Sequence, residues 1–293
     1  MAQHSPPGRL VDIGGRRLHV YELGHGSPTV VLESGLAATS LSWRMVQNEI
    51  AKFARVISYD RAGLGWSDPA ETPPLTAALV DDLHAVLRMA PPPYVLVGHS
   101  FGGLIVRAYA NRYPEEVCGV VLVDPVRTED WYPLSEDRRR MLARGAGLSR
   151  RGAWLARTGL VGWCLRSLLA GSRFLPKTIG AAASGKGSAV MKRLAGEVAK
   201  MPRDLWPMVV EHWSAPKSFL TMAAQLEALP QCAKETFDAL PPERIPVIVL
   251  TAGGSAPPAT RHVVAKGSGH WIHLDEPELV VAAVRDLVNS QRD

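Results

Sequence analysis

The residues best suited to chemistry lie in one short segment, Tyr94–Gly103, where an apolar run leads into a serine held between glycines. Its centre, Gly98-His99-Ser100-Phe101-Gly102, matches G-x-S-x-G and precedes a helical pattern. A serine on a sharp turn between a strand and a helix exposes its hydroxyl, and glycines permit the close backbone approach that such a turn requires. We therefore interpret Ser100 as a candidate nucleophile, against the alternative of a purely structural turn.

Short runs of Val, Ile and Leu alternate with helical patterns along most of the chain. Apolar runs without polar alternation are typical of strands that are covered on both faces of a parallel sheet. Helical spacing predicts helices over Leu75–Met89, Gly102–Arg112 and Glu278–Val288. The alternation predicts the α/β fold class, with a doubly wound, mostly parallel sheet. Seven strands are predicted: Arg17–Tyr21, Thr29–Glu33, Arg55–Tyr59, Tyr94–Val97, Gly119–Val123, Val247–Thr251 and His262–Ala265.

The alternation stops after Asp124 and resumes near residue 230. We predict that residues 126–229 form an inserted helical lid on a core made of residues 1–125 and 230–293. Ser135, Ser188 and Pro216 mark the predicted helix starts. Open α/β sheets bind ligands at the carboxyl edge of their strands, so a lid there would wall a pocket. We expect the Trp- and Leu-rich part of the lid to face that edge: Trp154, Leu155, Leu160, Trp163, Leu165, Leu168 and Leu169.

Positive charge is concentrated in one part of the chain. The formal net charge is +5, and the stretch from Arg127 to Arg203 holds most of the excess Arg and Lys. Such a patch could attract an anionic substrate or an anionic membrane surface, or it could be a solvated face. No zinc spacing, helix-turn-helix pattern or aromatic RNA-binding signature accompanies the charge, so we expect no nucleic-acid partner.

Composition and cysteine usage indicate an ordinary globular protein. Hydrophobic residues make up 46% of the chain and charged residues 21%. Neither a signal peptide nor a transmembrane span is evident, and three widely spaced cysteines (Cys118, Cys164 and Cys232) argue against a disulfide framework and against a metal site. We expect a cytoplasmic location; the oligomeric state is left open.

Four segments, in this order along the chain, resemble the α/β-hydrolase superfamily. They are Glu33–Leu36, Asp60–Ser67, the Ser100 segment and Gly267–His270. The resemblance spans nearly the whole chain outside the predicted lid. It implies the α/β-hydrolase fold and hydrolysis of an ester, an amide or a related carbon bond, with no metal or organic cofactor. It does not specify a substrate, because one fold hosts many activities.

The resemblance also implies the partners of Ser100. The family's order of serine, acid and histidine places the base at His270, after the last strand, whereas His99 is expected to pack inside the turn. The usual acid position lies in Thr251–Thr260, which contains no carboxylate and is too short for the usual helical crossover. A second position known in the fold, at the end of the strand before the lid, holds Asp124. Its alternative role is a structural cap, and Asp275 is predicted to cap the last helix.

The same resemblance implies an oxyanion hole made by the backbone N–H groups of Phe101 and Leu36. Gly35 could equally be a simple turn glycine. Epoxide hydrolases and dehalogenases of this fold use a carboxylate nucleophile where this chain has Ser100, which argues against their chemistry. The favoured reading is a serine hydrolase of carboxylic esters with hydrophobic acyl groups. A serine-dependent perhydrolase or acyltransferase, and a ligand-binding or signalling protein with little turnover, remain open.

Overall fold

One eight-stranded sheet organises the chain. The computed structural model describes residues 6–169, 196, 198–239, 241–253 and 261–292. The strand order is β1-β2-β4-β3-β5-β6-β7-β8; β1, β2 and β4 pair antiparallel, and every other neighbouring pair is parallel. The predicted α/β class with a mostly parallel sheet is therefore confirmed. The strands are β1 Arg9–Asp12, β2 Arg17–Leu23, β3 Thr29–Glu33, β4 Val56–Tyr59, β5 Tyr94–His99, β6 Val117–Val123, β7 Val247–Thr251 and β8 Arg261–Val264.

Helices cover both faces of this sheet. On one face, α2 (Thr76–Leu87) and α3 (Gly102–Arg112) bury Leu83, Leu104 and their neighbours against the strands. On the other face, α1 (Arg44–Ile50) and the C-terminal helix Pro277–Asn289 do the same. All side chains of β3, β4 and β5 are buried, as their unbroken apolar runs predict. Strand β1 was not predicted, because its residues lie at the sheet edge, largely exposed, and carry no apolar run.

Four longer helices lie in the described part of the segment between β6 and β7, where residues 198–200 and two short 3-10 helices, Thr128–Asp130 and Arg203–Leu205, are also helical. The four longer helices are α4 (Glu136–Arg157), α5 (Leu160–Leu169), α6 (Trp206–Trp213) and α7 (Pro216–Glu235). The predicted cap at Ser135 is confirmed, since its side chain accepts the N–H of Arg138 at 3.4 Å. Gly159, at φ +76°, separates α4 from α5. The predicted start at Ser188 lies outside the described residues. After β8 follow α8 (Ile272–Asp275) and α9 (Pro277–Asn289).

The apolar residues of α4 and α5 are not oriented as expected. Trp154 and Trp163 are 65% and 54% exposed, and Leu155 and Leu160 are also exposed, whereas Leu165 is buried. The expectation that they face the sheet edge is wrong for these four. The reason is that α4 packs on α7 through small residues: a side chain at Gly152 would lie 2.7 Å from the Phe219 ring, so close helix contact leaves the large side chains outside. Among the described helices, none is long and apolar enough to cross a membrane.

Candidate active site

Ser100 occupies the turn between β5 and α3. Its φ of +51° lies in the left-handed region, which a non-glycine residue adopts only when the surroundings enforce it. The Ser100 N–H donates to the carbonyl of Val123 at 3.0 Å, and its carbonyl accepts from Gly103 and Val126. A Cβ at Gly102 would lie 2.6 Å from the carbonyl oxygen of Glu33. The glycine is therefore required by close packing between the turn and β3.

His270 and Asp124 are joined by a hydrogen bond. The Nδ1 atom of His270 lies 2.6 Å from Oδ2 of Asp124, and Oδ1 of Asp124 accepts the N–H of Ala252 at 3.1 Å. Asp124 follows β6 with φ +40°. Partial burial raises the pKa of Asp124, but the hydrogen bonds from His270 and Ala252 outweigh burial and leave that pKa below its ordinary value. The contact expected between these two residues is thus present. It involves Nδ1, the ring nitrogen that binds the acid in a catalytic triad.

Ser100 and His270 are not joined directly. Within the described residues no hydrogen bond links the Ser100 hydroxyl to the His270 ring. Ser100 is 9% exposed, and the side chain of His270 is about two-fifths exposed. Hydrogen bonds between a nucleophile and its base are often long in ligand-free enzymes and tighten only when substrate is bound. The structure therefore brings together two of the three predicted residues by contact and places the third at the same edge of the sheet.

Carboxylates fix the loop that carries His270. Asp275 accepts the N–H of Gly269 at 3.0 Å, and Glu276 accepts the N–H of Gly267 at 2.9 Å and the hydroxyl of Ser268 at 2.6 Å. The predicted capping role of Asp275 is wrong: Glu276 is the cap residue of α9, and the Asp275 carboxylate is used by the loop instead. Three consecutive turn residues are thus held before His270.

Two buried histidines pack beneath His270. The Nε2–H of His99 donates to the carbonyl of His270 at 2.9 Å, and the His99 ring contacts Trp43, Trp271 and His273. The expectation that His99 packs inside the turn is confirmed. Burial lowers the pKa of His99 well below its ordinary value and lowers the pKa of His273 to about 3. Both rings are therefore neutral near pH 7.

The two predicted oxyanion donors lie in turns on either side of Ser100. A Cβ at Gly35 would lie 3.5 Å from Cβ of Ser100, so the loop after β3 passes directly over the serine. In the described part of the chain, no protein acceptor takes the N–H of Phe101 or of Leu36. Arg61 holds this loop from the other side: it donates to the carbonyls of Ser34 and Gly35 and to the buried carboxylate of Glu33.

Gln225 of α7 also contacts the loop after β3, and sequence reasoning missed it. Its Oε1 accepts the N–H of Ala37 at 2.8 Å, while its Nε2 is buried without a partner. Ala37 has φ +56°, so the hydrogen bond stabilises an unfavourable backbone conformation next to Leu36. A glutamine within an amphipathic helix carries no sequence signal for such a role.

Across the described residues, no group of three or more His, Cys, Asp or Glu side chains could hold a metal ion.

Comparison with known proteins gives matches in family, relatives and fold. The alpha/beta hydrolase fold family matches residues 28–151. A 2-hydroxymuconate semialdehyde hydrolase from Pseudomonas sp. (strain CF600) is 36% identical over 139 residues, which are 46% of this chain and 48% of that protein. A pimeloyl-[acyl-carrier protein] methyl ester esterase from Hamiltonella defensa is 32% identical over 108 residues, 37% of this chain and 40% of that protein.

The chain thus spans less than half the length of the curated relatives that it matches. Among solved structures, the epoxide hydrolase CorEH without ligand superposes with a TM-score of 0.67 and 18% identity, covering 97% of this chain and 98% of that one. At 18% identity, this likeness shows that the two chains share a fold and nothing about activity.

Proposed function

Because the chain belongs to the α/β-hydrolase superfamily, we propose that it is a serine hydrolase of carboxylic esters, with Ser100 as nucleophile, His270 as base and Asp124 as its acid partner. The observation that carries the proposal is the 2.6 Å contact between Asp124 and Nδ1 of His270 at the sheet edge where Ser100 occupies a left-handed turn. This arrangement leaves Nε2 of His270 available to the serine.

The reaction follows from these roles. His270 takes the proton of Ser100 as the hydroxyl oxygen attacks the ester carbonyl, and the Asp124 carboxylate stabilises the imidazolium that forms. The N–H groups of Phe101 and Leu36 bind the negative oxygen of the tetrahedral intermediate, each contributing on the order of 3 kcal/mol. His270 then gives the proton to the leaving alcohol, and water releases the acyl group by the same steps.

Serine at the turn argues for ester chemistry over epoxide opening. Epoxide hydrolases of this fold attack with a carboxylate and release the product by hydrolysis of an ester on that carboxylate, which a serine cannot reproduce. Several structural neighbours are named epoxide hydrolases, but their identity to this chain is under 25% and their names concern those proteins. The relative named as a methyl ester esterase supports an ester substrate.

A hydrophobic acyl group is the preferred part of this substrate. Leu205 before α6 and Val209 in α6 pack with Leu274, and Trp271 and Trp66 join the same apolar cluster. Trp271 is the neighbour of His270, so the cluster adjoins the reacting group. Burial of a methylene gains about 0.8 kcal/mol, which favours longer acyl chains over acetate. Trp154 and Trp163, which face outward, play no part in this preference.

A second candidate is hydrolysis of a hydroxylated, unsaturated oxo acid, the substrate class for which one relative is named. That reaction breaks a carbon–carbon bond, and the same Ser100, His270 and Asp124 would serve it. The two candidates differ in the bond that is cleaved, so parallel assays with a p-nitrophenyl ester series and with 2-hydroxymuconate semialdehyde separate them.

The decisive experiment is a burst assay with p-nitrophenyl esters of increasing acyl length. Wild type should release a burst of p-nitrophenol that approaches one equivalent, and Ser100→Ala and His270→Ala should each abolish it. The residual turnover of the double variant should be little lower than that of either single variant, because the pair acts as a unit. His25→Ala, which changes an exposed histidine, is the matched control. An organophosphonate should label Ser100; labelling of another serine, or turnover that survives Ser100→Ala, contradicts the proposal.

A further inference from the structure

Helices α4 and α5 present a surface that combines apolar and basic side chains. We call it the α4–α5 face, and it consists of Met141, Arg144, Leu148, Arg151, Trp154, Leu155, Leu160 and Trp163, all of which are exposed. Large apolar side chains are this exposed at few other places among the described residues. A cluster of this kind marks an interaction surface more often than a simple solvated face.

The order of side chains on α4 forms neighbouring stripes. Met141, Leu148 and Leu155 recur every seven residues and so share one line along the helix. Arg144 and Arg151 each stand three residues after a member of that line, and therefore form a second line directly beside it. Trp154, three residues after Arg151, lies on the far side of the arginines. The basic line is thus flanked by apolar side chains on both sides.

The opposite side of α4 is already occupied. Leu142, Ala146 and Ala153 are buried, and Gly145 and Gly152 face Leu226 and Phe219 of α7. A Cβ placed at Gly147, on the outer side, would meet nothing within 4 Å. The exposed apolar residues therefore do not result from a poorly packed helix. The buried side is complete, and the α4–α5 face is an additional surface.

The charge of this surface is unbalanced. From Arg138 to Leu169 the sequence contains eight arginines and no Asp or Glu. Arg138, Arg139, Arg140 and Arg150 have carboxylate partners from Asp130, Glu136 and Glu227. Within the described residues Arg144, Arg151, Arg157 and Arg166 have none. Arg144 and Arg151, the two arginines of the α4–α5 face, therefore lie beside its apolar side chains without a carboxylate partner.

We propose that the α4–α5 face docks the protein on an anionic lipid surface. Tryptophan and long apolar side chains enter the boundary between headgroups and acyl chains, while arginine extends its charged end to the phosphates. Each arginine near an anionic bilayer raises the partition coefficient about fivefold, so Arg144 and Arg151 together account for about thirtyfold. This inference does not depend on the proposed hydrolysis.

Two other occupants fit the surface less well. A second copy docked through the same face in a two-fold dimer would place arginine opposite arginine, and the face offers no acid to meet them. A nucleic acid would contact the arginines but leave the Met141, Leu148 and Leu155 line against water. A lipid surface supplies both phosphate and apolar contact in the same plane.

The test is co-sedimentation with vesicles of phosphatidylglycerol and phosphatidylcholine, compared with vesicles of phosphatidylcholine alone. Wild type should bind the anionic vesicles at low salt and bind less at about 1 M salt, where screening acts within about 3 Å. Equal binding to both vesicle types, or no binding to either, would overturn the proposal. Concentration-dependent dimerisation without vesicles that Trp154→Gln abolishes would assign the surface to a second copy and would also overturn it.

Variants identify the surface that binds. Arg144→Gln/Arg151→Gln should lower partitioning about thirtyfold, and Leu148→Gln/Trp154→Gln should lower it at both salt concentrations. Arg9→Gln/Arg88→Gln removes the same charge from exposed positions outside α4 and α5 and is the matched control. Loss of binding in the control equal to that in Arg144→Gln/Arg151→Gln would show net charge alone to be responsible, which contradicts a defined surface. Unchanged circular dichroism spectra and thermal unfolding midpoints verify that the variants are folded.

Discussion

Asp124 is the residue whose role follows least directly from the sequence and most directly from the geometry. The loop after β7 contains no carboxylate, so the end of β6 is the only described strand end that supplies one to Nδ1 of His270. The hydrogen bond from the Ala252 N–H holds the carboxylate of Asp124, whose backbone has a left-handed φ, in contact with His270. Asp124 is thus held by contacts from the ends of the neighbouring strands β6 and β7, so the proposed triad does not require a carboxylate in the short connection after β7.

Asp124→Asn should lower kcat by about 10⁴-fold while the protein stays folded, because the amide cannot stabilise the imidazolium or select the correct tautomer of His270. Steady-state kinetics and thermal unfolding measure the two effects, and Asp130→Asn, in an exposed ion pair, is the control. Since the folded pKa of Asp124 lies below its ordinary value, its stabilising contribution is present above the ordinary value and is lost as the pH falls through the folded one. A variant that retains most of the wild-type kcat would contradict the assignment.

At the scale of elements, the serine turn depends on contacts that the sequence motif only partly reveals. A Cβ on Gly102 would lie 2.6 Å from the carbonyl oxygens of both Glu33 and Ser34, which are backbone atoms that cannot move aside. Gly102→Ala is therefore expected to destabilise the protein by several kcal/mol and to remove activity. Gly147→Ala, at an open helical position, should instead stabilise by about 0.5–1 kcal/mol. Chemical denaturation measures the unfolding free energy of both variants. Equal changes in the two variants would contradict the prediction that close contacts make Gly102 necessary.

Helix α7 contributes Gln225 to the loop after β3. Gln225→Met keeps the side-chain volume but leaves the partly buried N–H of Ala37 without an acceptor, so we expect kcat to fall about tenfold with KM little changed. Gln225→Glu keeps an oxygen at that position and should retain more of kcat. Gln231→Met, at an exposed position of the same helix, is the matched control. A kcat for Gln225→Met that equals the kcat of Gln231→Met would show that the hydrogen bond to Ala37 does not position the loop after β3.

Sequence patterns predicted the strands well where both faces of the sheet are buried. They predicted side-chain orientation poorly where it depends on which face of a helix a neighbouring helix covers. All seven predicted strands are present, and six of them pair in parallel, as unbroken apolar runs indicate, whereas β2 pairs antiparallel with β1 and β4. The orientation of Trp154 and Trp163 did not follow, because helical spacing shows which residues share a face but not which face α7 will cover. Gln225 and Asp275 act through contacts with distant loops, and such contacts leave no periodic trace in the sequence.

At the scale of the whole molecule, helices α6 and α7 join the core around a buried carboxylate. Asp60 is fully buried, lies 3.0 Å from His19 and accepts the N–H of Ser40. His212 of α6 packs its ring on Trp66 at 4.2 Å, and Lys217 of α7 donates to the carbonyl of Ser67 at 2.9 Å. A Cβ at Gly63 would meet Thr221 of α7. Helices α6 and α7 are therefore attached to the loop after β4 by the buried His212 ring and by the partly buried hydrogen bond of Lys217.

This attachment predicts sensitivity to acid. Burial lowers the pKa of His212 to about 4, although the Asp60 charge opposes the shift, and neither ring nitrogen has a hydrogen-bond partner. The unfolded chain takes up this proton near pH 6.5, whereas the folded protein takes it up only near pH 4, so stability is lost as the pH falls between those values. Between pH 7 and pH 5 the expected loss from His212 alone is about 2 kcal/mol.

His212→Phe keeps an aromatic ring against Trp66 and removes the titrating group, so it should flatten the decline in unfolding free energy between pH 7 and pH 5 by about 2 kcal/mol. Denaturant unfolding at several pH values measures the slope, and His25→Phe at an exposed position is the control. His99 and His273 also have lowered pKa values, so part of the acid sensitivity should remain in the variant. Parallel pH profiles for wild type and His212→Phe would mean that His212 does not couple protonation to the attachment of α6.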